Sequence, residues 1–180
     1  MPPSEGVLYL DVGHPESLLA AERALQVMPV ATEWIPVHLG APDLVDFTAL
    51  AGVAAARGLQ PTRAPAPFPF DARAANLAAT YAKSTGRAVA FLQAALRQAY
   101  AGGRDLSVVD NVLIAGSACE LHPRAVLKSL QTSGTRRTLA AASALARERG
   151  VTRAPAVYAL GRVFEGDAGL DEAAALLSPR

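Results

Sequence analysis

At 180 residues, with 51% apolar and 18% charged side chains, the chain has the length of one domain carrying an insertion and enough apolar content for a packed core. A net charge of +1 with no polybasic run argues against nucleic acid as a partner. The single cysteine, Cys119, excludes an intramolecular disulfide and a Cys-x-x-Cys redox pair.

The opening stretch Met1-Pro2-Pro3-Ser4-Glu5-Gly6 lacks the basic and long apolar regions of a signal peptide. No apolar run reaches membrane-spanning length. The expectation is a soluble, cytoplasmic protein.

Gly6 to Val12 is a short apolar run bounded by glycines, which predicts a buried strand. A tight turn, Gly13-His14-Pro15-Glu16, leads into a helix. Pro15 suits the first helical position and Glu16 the positive end of the helix dipole. Thr32 to Leu39 predicts a second strand, with Pro36 marking an edge or a bulge. A strand–helix–strand opening implies a parallel pair with a right-handed crossover.

The pattern then turns helical. Leu44 to Gly58 predicts a helix. The proline-dense stretch Leu59 to Phe70 predicts an extended loop, because proline lacks an N–H and fixes φ. Asp71 is expected to cap a helix running to about Thr85, with Gly86 as its stop. Further helices are expected over Arg87 to Ala101, Ser107 to Ala118, from Pro123, and over Thr135 to Arg149. The Arg136-Arg137 pair reads as a solvated helix face. Strand signals return in Ala156 to Leu160 and Arg162 to Phe164, a hairpin about Gly161, and Leu170 to Leu177 predicts a closing helix.

The order is βαβ, several helices, then ββα. That predicts an α/β fold whose βαβ–ββα sheet is interrupted by an all-helical domain. Residues 1–40 and 150–180 would form the sheet domain and 41–149 the insertion.

Four segments carry a resemblance. Leu8-Tyr9-Leu10-Asp11 leads through a turn and a proline to Ser17-Leu18-Leu19-Ala20. Phe68-Pro69-Phe70-Asp71 is followed by Ala75-Asn76, Tyr81-Ala82 and Gly86-Arg87. The other two are Tyr100-Ala101-Gly102-Gly103-Arg104-Asp105-Leu106-Ser107 and Gly150-Val151-Thr152-Arg153-Ala154-Pro155-Ala156-Val157. Together they resemble the thioredoxin-like group of 2-hydroxychromene-2-carboxylate isomerases, DsbA-like proteins and kappa-class glutathione transferases.

The resemblance implies a thioredoxin-like fold, with Ala154-Pro155 as the cis-proline loop beside the active site. It also marks departures. The family serine or cysteine at the start of the first helix is matched here by His14. The family's Gly-x-Asp-Arg-Leu is matched by Gly166-Asp167-Ala168-Gly169-Leu170, so Ala168 and Gly169 replace the charged pair and Asp167 stands one residue early.

A helix N-terminus presents free N–H groups and partial positive charge, which is why this fold uses it for thiolate chemistry. His14 there reads either as a general acid/base or as a polar remnant of an inactivated site. Ser17 matches a family serine, with a small structural residue as the blander reading. Ser17, Ala154, Pro155 and Asp167 are the expected substrate- or cofactor-binding residues. Trp34, Phe68 and Phe70 are candidate pocket walls, although aromatics are more often core. His38 and His122 read as structural, Asp71 as a cap, and Cys119 as a buried inert thiol.

Histidine spacing suggests no metal. Glutathione is expected to bind weakly at best, since Ala168 offers no carboxylate. The leading functional expectation is an isomerase-like or glutathione-transferase-like protein acting on a small aromatic or thiol-bearing compound. The alternative is a non-catalytic binding or scaffold protein that has lost its nucleophile. Thiol–disulfide exchange ranks third, because its attacking cysteine is missing. Partners expected are a small-molecule substrate, with neither nucleic acid nor membrane. A homodimer is left open by the habits of the family.

Overall fold

The computed structural model describes residues 6–178, so the N-terminal stretch read for a leader lies outside them apart from Gly6. Four strands form one sheet in the order β2-β1-β3-β4. β1 (Gly6–Leu10) pairs in parallel with β2 (Thr32–Pro36), and α1 (Glu16–Val27) makes the crossover. β3 (Ala156–Ala159) runs antiparallel to β1, and β4 (Arg162–Glu165) antiparallel to β3. α8 (Gly166–Leu177) closes the order. Between β2 and β3 the chain forms α2 (Phe47–Ala56), α3 (Arg73–Ser84), α4 (Ala88–Tyr100), α5 (Val109–Ser117), α6 (Pro123–Gln131) and α7 (Ser133–Glu148). The βαβ–ββα sheet with inserted helices is therefore present.

The strand period of two sorts the side chains. Leu8 and Leu10 join the main cluster with α1, α3, α4 and α8. Val7 and Tyr9 face the other way and pack with Ala142 and Ala146 of α7. The main cluster is continuous from the sheet into the inserted helices, reaching Phe91, Leu92 and Leu96. Trp34 belongs to this core rather than to a pocket wall. β2 is an edge strand, so the missing N–H of Pro36 breaks no inner ladder.

Three expected boundaries move by three residues or more. The helix expected from Leu44 begins at Phe47, because Asp46 caps it by accepting from the Thr48 and Ala49 N–H groups. Leu44 is left outside and fully exposed. The strand expected to reach Leu39 stops at Pro36. Val37 N–H still reaches Leu10 C=O, but His38 and Leu39 turn their N–H groups to Ser143 Oγ and Asp11 Oδ2. The closing helix starts at Gly166, four residues before Leu170. β4 runs straight into it because Gly166 takes φ 77° and Gly169 lacks a side chain.

A Cβ at Gly169 would lie 2.6 Å from the Phe164 carbonyl carbon. The clash is with backbone, which does not yield as a flexible side chain does. Gly169→Ala is therefore expected to destabilise by about 1–3 kcal/mol. A denaturant midpoint equal to that of the parent protein would show that the β4–α8 junction adjusts freely.

Candidate functional site

The turn between β1 and α1 is organised by Asp11, a carboxylate with no solvent exposure. An unpaired charge there would be costly, and hydrogen bonds offset that cost. Oδ1 accepts from Gly13 N–H at 2.8 Å and from Asn76 Nδ2 at 2.7 Å. Oδ2 accepts from Leu39 N–H at 2.7 Å. Asn76, equally buried on α3, accepts from Val12 N–H at 3.0 Å and lies 3.3 Å from His38 Nδ1. Tyr100, at the end of α4, donates its hydroxyl to Val12 C=O at 2.8 Å. Burial pushes the Tyr100 phenol well above its ordinary pKa, and the charge of Asp11 pushes the same way. The hydroxyl therefore stays protonated as a donor. These bonds join the start of the sheet to α3 and α4.

His14 follows within the same turn. Its N–H donates to Asp11 C=O at 3.1 Å, and its own carbonyl accepts from Ser17 N–H at 2.9 Å. The side chain is buried, with Nε2 4.0 Å from Asp11 Oδ2. Nε2 has no hydrogen-bond partner among the described residues, and neither does the buried Ser17 Oγ. Two unsatisfied polar atoms thus stand at the first turn of α1. Buried polar groups are otherwise almost always paired, so both stand out as lacking the partner that burial calls for.

The cis peptide expected at Ala154-Pro155 is present. Ala154 and Pro155 are both buried. Pro155 C=O accepts from Gly166 N–H at 2.8 Å, and Glu165 Oε1 receives the N–H groups of Thr152 and Arg153. Arg153 reaches Glu16 Oε2 at 3.5 Å. Glu16 and Arg153 stand two residues from His14 and Pro155, so this exposed ion pair spans the two segments. A Cβ on Gly166 would meet both side chains at 3.0 Å.

Asp167 is placed differently. It is buried and bound by Arg23 of α1 and by Arg57, just past α2, with Nη2 3.1 Å from Oδ2. Asp171 joins the same two arginines. Both carboxylate oxygens of Asp167 are already engaged with guanidinium groups. These contacts tie α8 to α1 and to the end of α2.

The clefts on the surface of the described residues include two of about 290 Å³ each. One lies between the chain after β2 (His38, Gly40 and Ala41) and the entry to α3 (residues 69–72). It abuts the His14 turn through Gly13, where a Cβ would lie 3.1 Å from Ala72 Cβ and 3.9 Å from Gly40 C=O. Phe70 forms part of its wall, and Phe68 packs edge-on against Phe47 with centroids 4.9 Å apart. The other cleft lies between α1 and α4, beside the Arg97–Glu22 ion pair. It contains none of the candidate residues.

The remaining expectations fall away from the turn. Asp71 Oδ1 accepts from Arg73 N–H at 2.9 Å, and His122 Nδ1 accepts from Arg124 N–H at 3.2 Å at the start of α6. Cys119 is buried, with Sγ donating to Ala115 C=O at 3.3 Å. Burial raises its thiol pKa against an opposing pull from Arg87, which keeps the nucleophilic thiolate scarce. No group of three metal-ligating side chains lies together among the described residues. No helix among them is long and apolar enough to cross a membrane.

Sequence reasoning did not assign Asp11, Asn76, Tyr100 or His38 to the site. The available signal was a charged residue closing an otherwise apolar strand, which needs buried partners. Asn76 and Tyr100 also fell inside segments carrying the family resemblance.

No family model matches the chain, and no characterised protein matches it in sequence. Solved structures do. A 2-hydroxychromene-2-carboxylate isomerase superposes with a TM-score of 0.80 at 16% identity, covering 96% of this chain and 93% of its own. A probable DsbA oxidoreductase from Streptomyces coelicolor gives 0.78 at 18% identity, over 97% and 88%. A DsbA disulfide interchange protein from Klebsiella pneumoniae gives 0.58 at 12% identity, over 97% and 87%. The chain has the DsbA-like thioredoxin fold. Fold alone leaves the chemistry to be argued from the residues.

Proposed function

We propose that this DsbA-like thioredoxin fold serves an isomerase-like activity on a small aromatic compound, with His14 moving the proton. The observation that carries the reading is the unsatisfied Nε2 of His14 at the first turn of α1, 4.0 Å from a buried carboxylate, on a turn that abuts a ligand-sized cleft through Gly13. An isomerisation shifts a proton between two atoms of one molecule and needs no net reductant or oxidant. A single acid/base group that accepts a proton and returns it meets that need. Asp11 supplies the counter-charge while the imidazole holds the proton. Catalytic hydrogen bonds in unliganded sites are often long, so 4.0 Å is compatible with closer contact in the complex.

A thiol-bearing substrate has less support. Asp167, the residue best able to take a γ-glutamyl ammonium, is held by two arginines. Disulfide exchange has no attacking group at the helix start, where His14 stands.

One observation favours the non-catalytic alternative: His14, Ala154 and Pro155 are all buried. A substrate must then displace part of the covering structure. His14→Ala separates the two readings. It breaks no side-chain hydrogen bond but leaves a cavity where a buried ring stood, so the melting temperature should fall by several degrees while the protein stays folded. Turnover of the aromatic compound should fall by about 10²–10⁴-fold, the usual worth of a positioned acid/base. A thermal-shift screen with aromatic carboxylates, aromatic carbonyl compounds, glutathione and its conjugates finds the ligand, because a ligand that binds the native state raises its melting temperature. A screen that His14→Ala and His14→Ser leave unchanged would establish the scaffold reading instead.

A further inference from the structure

The hydrogen bonds around Asn76 decide which ring nitrogen of its neighbour His38 accepts and which can donate. Val12 N–H needs an acceptor, so Oδ1 of Asn76 faces it at 3.0 Å. Asp11 Oδ1 needs a donor, so Nδ2 faces that at 2.7 Å. The two demands agree. A flipped amide would set oxygen against the Asp11 carboxylate and N–H against the N–H of Val12. Nδ2 therefore has one hydrogen left, and it points at His38 Nδ1, 3.3 Å away. Nδ1 must accept. In the neutral ring the proton then sits on Nε2, because the bond made by one ring nitrogen fixes the other.

We propose that His38 is a binding residue, with its Nε2–H held ready as a donor in the cleft. Its ligand is a neutral aromatic carbonyl compound with a neighbouring N–H or O–H. His38 lines the cleft, and Nε2 is the ring nitrogen free of protein partners among the described residues. Asp71 lines the same cleft. Its Oδ1 serves Arg73 N–H, which leaves Oδ2 as an acceptor on the wall. A donor and an acceptor on one cleft fit a ligand carrying the reverse pair. The carbonyl oxygen meets His38, and the neighbouring N–H or O–H meets Asp71. Pro69, Phe70 and Ala72 supply an apolar surface for one ring. About 290 Å³ suits a single ring with a small substituent, at the lower end of ligand pockets. The charge of Asp71 disfavours a carboxylate in that place.

This inference rests on the reading of the cleft as a small-aromatic site, but its first test does not. Nitrogen NMR of the free protein at about pH 8, above the reference imidazole pKa of about 6.5, reads the ring directly. The Nε2–H tautomer is expected for His38, and an Nδ1–H tautomer overturns the proposal. The second test uses benzamide and benzoate as probes. Benzamide should shift the resonances of His38, Ala41 and Ala72, and benzoate should bind about tenfold more weakly or worse. His38→Leu should weaken benzamide by about tenfold or more, whereas His38→Gln, which keeps an amide donor near the Nε2 position, should recover most of the affinity. Equal benzamide affinity in the parent protein and His38→Leu overturns the assignment. If an aromatic ligand still acts through His14 in that case, the functional reading stands without His38. If no aromatic compound binds anywhere, both the reading and the ligand assignment fail, whatever the tautomer.

Discussion

Replacing Asn76 with leucine is expected to cost about 3–5 kcal/mol of folding stability, because it takes one donor from a buried charge and leaves buried neutral groups unpaired. The volumes are similar, so the loss is one of hydrogen bonds. Asp11 Oδ1 would lose a donor, Val12 N–H its acceptor, and His38 Nδ1 its partner. All of this happens where neither Asp11 nor Asn76 has any exposure to water. Asn76→Asp tests the sign. It keeps the size and supplies an acceptor for Val12 N–H, but it places a second carboxylate beside the Asp11 carboxylate, so it should also destabilise. Denaturant unfolding monitored by the fluorescence of Trp34, which lies in the same core, measures both variants. A loss below about 1 kcal/mol for Asn76→Leu, the level of one ordinary hydrogen bond, would mean that Asp11 finds other partners and does not organise the turn.

Much of this architecture was legible because it rests on short-range signals. The apolar run from Gly6 to Val12, the edge proline at Pro36 and the hairpin about Gly161 each correspond to a local rule, and each lies where that rule places it. Boundaries shifted where a particular side chain intervened. Asp46 starts α2 later than the apolar pattern suggests, and Asp11 draws Leu39 away from the strand. Gly166 and Gly169 start α8 earlier. The site was less legible. His14 stands out by its position, but its environment comes from Asn76 and Tyr100, which are 65 and 89 residues from Asp11 in the chain. Periodicity carries no information about which distant polar groups meet. His38 read as a strand residue of structural interest only, because its Asn76 contact depends on how α3 seats against the end of β2.

The pairing of Asp167 leads to a result that bears on both stability and ligand choice. Asp167→Asn is expected to lower stability by about 2–4 kcal/mol without changing any ligand response. Arg23 is buried and loses its principal anionic partner, which leaves a charge poorly compensated away from water. Asp171 still reaches both arginines but is well exposed, so it replaces only part of the lost interaction. Helix anchoring and ligand binding by Asp167 make opposite predictions for glutathione. If it anchors helices, glutathione binds weakly to both proteins and the variant differs only in its unfolding midpoint. If it takes the γ-glutamyl ammonium, glutathione binds the parent protein at micromolar concentration or below, and the variant loses that affinity. Calorimetry on the parent and variant, run below the melting temperature of the weaker protein, separates the two. The arrangement of two guanidinium groups around one buried carboxylate favours the first outcome, because a ligand ammonium would have to displace an arginine that is already desolvated and hydrogen-bonded.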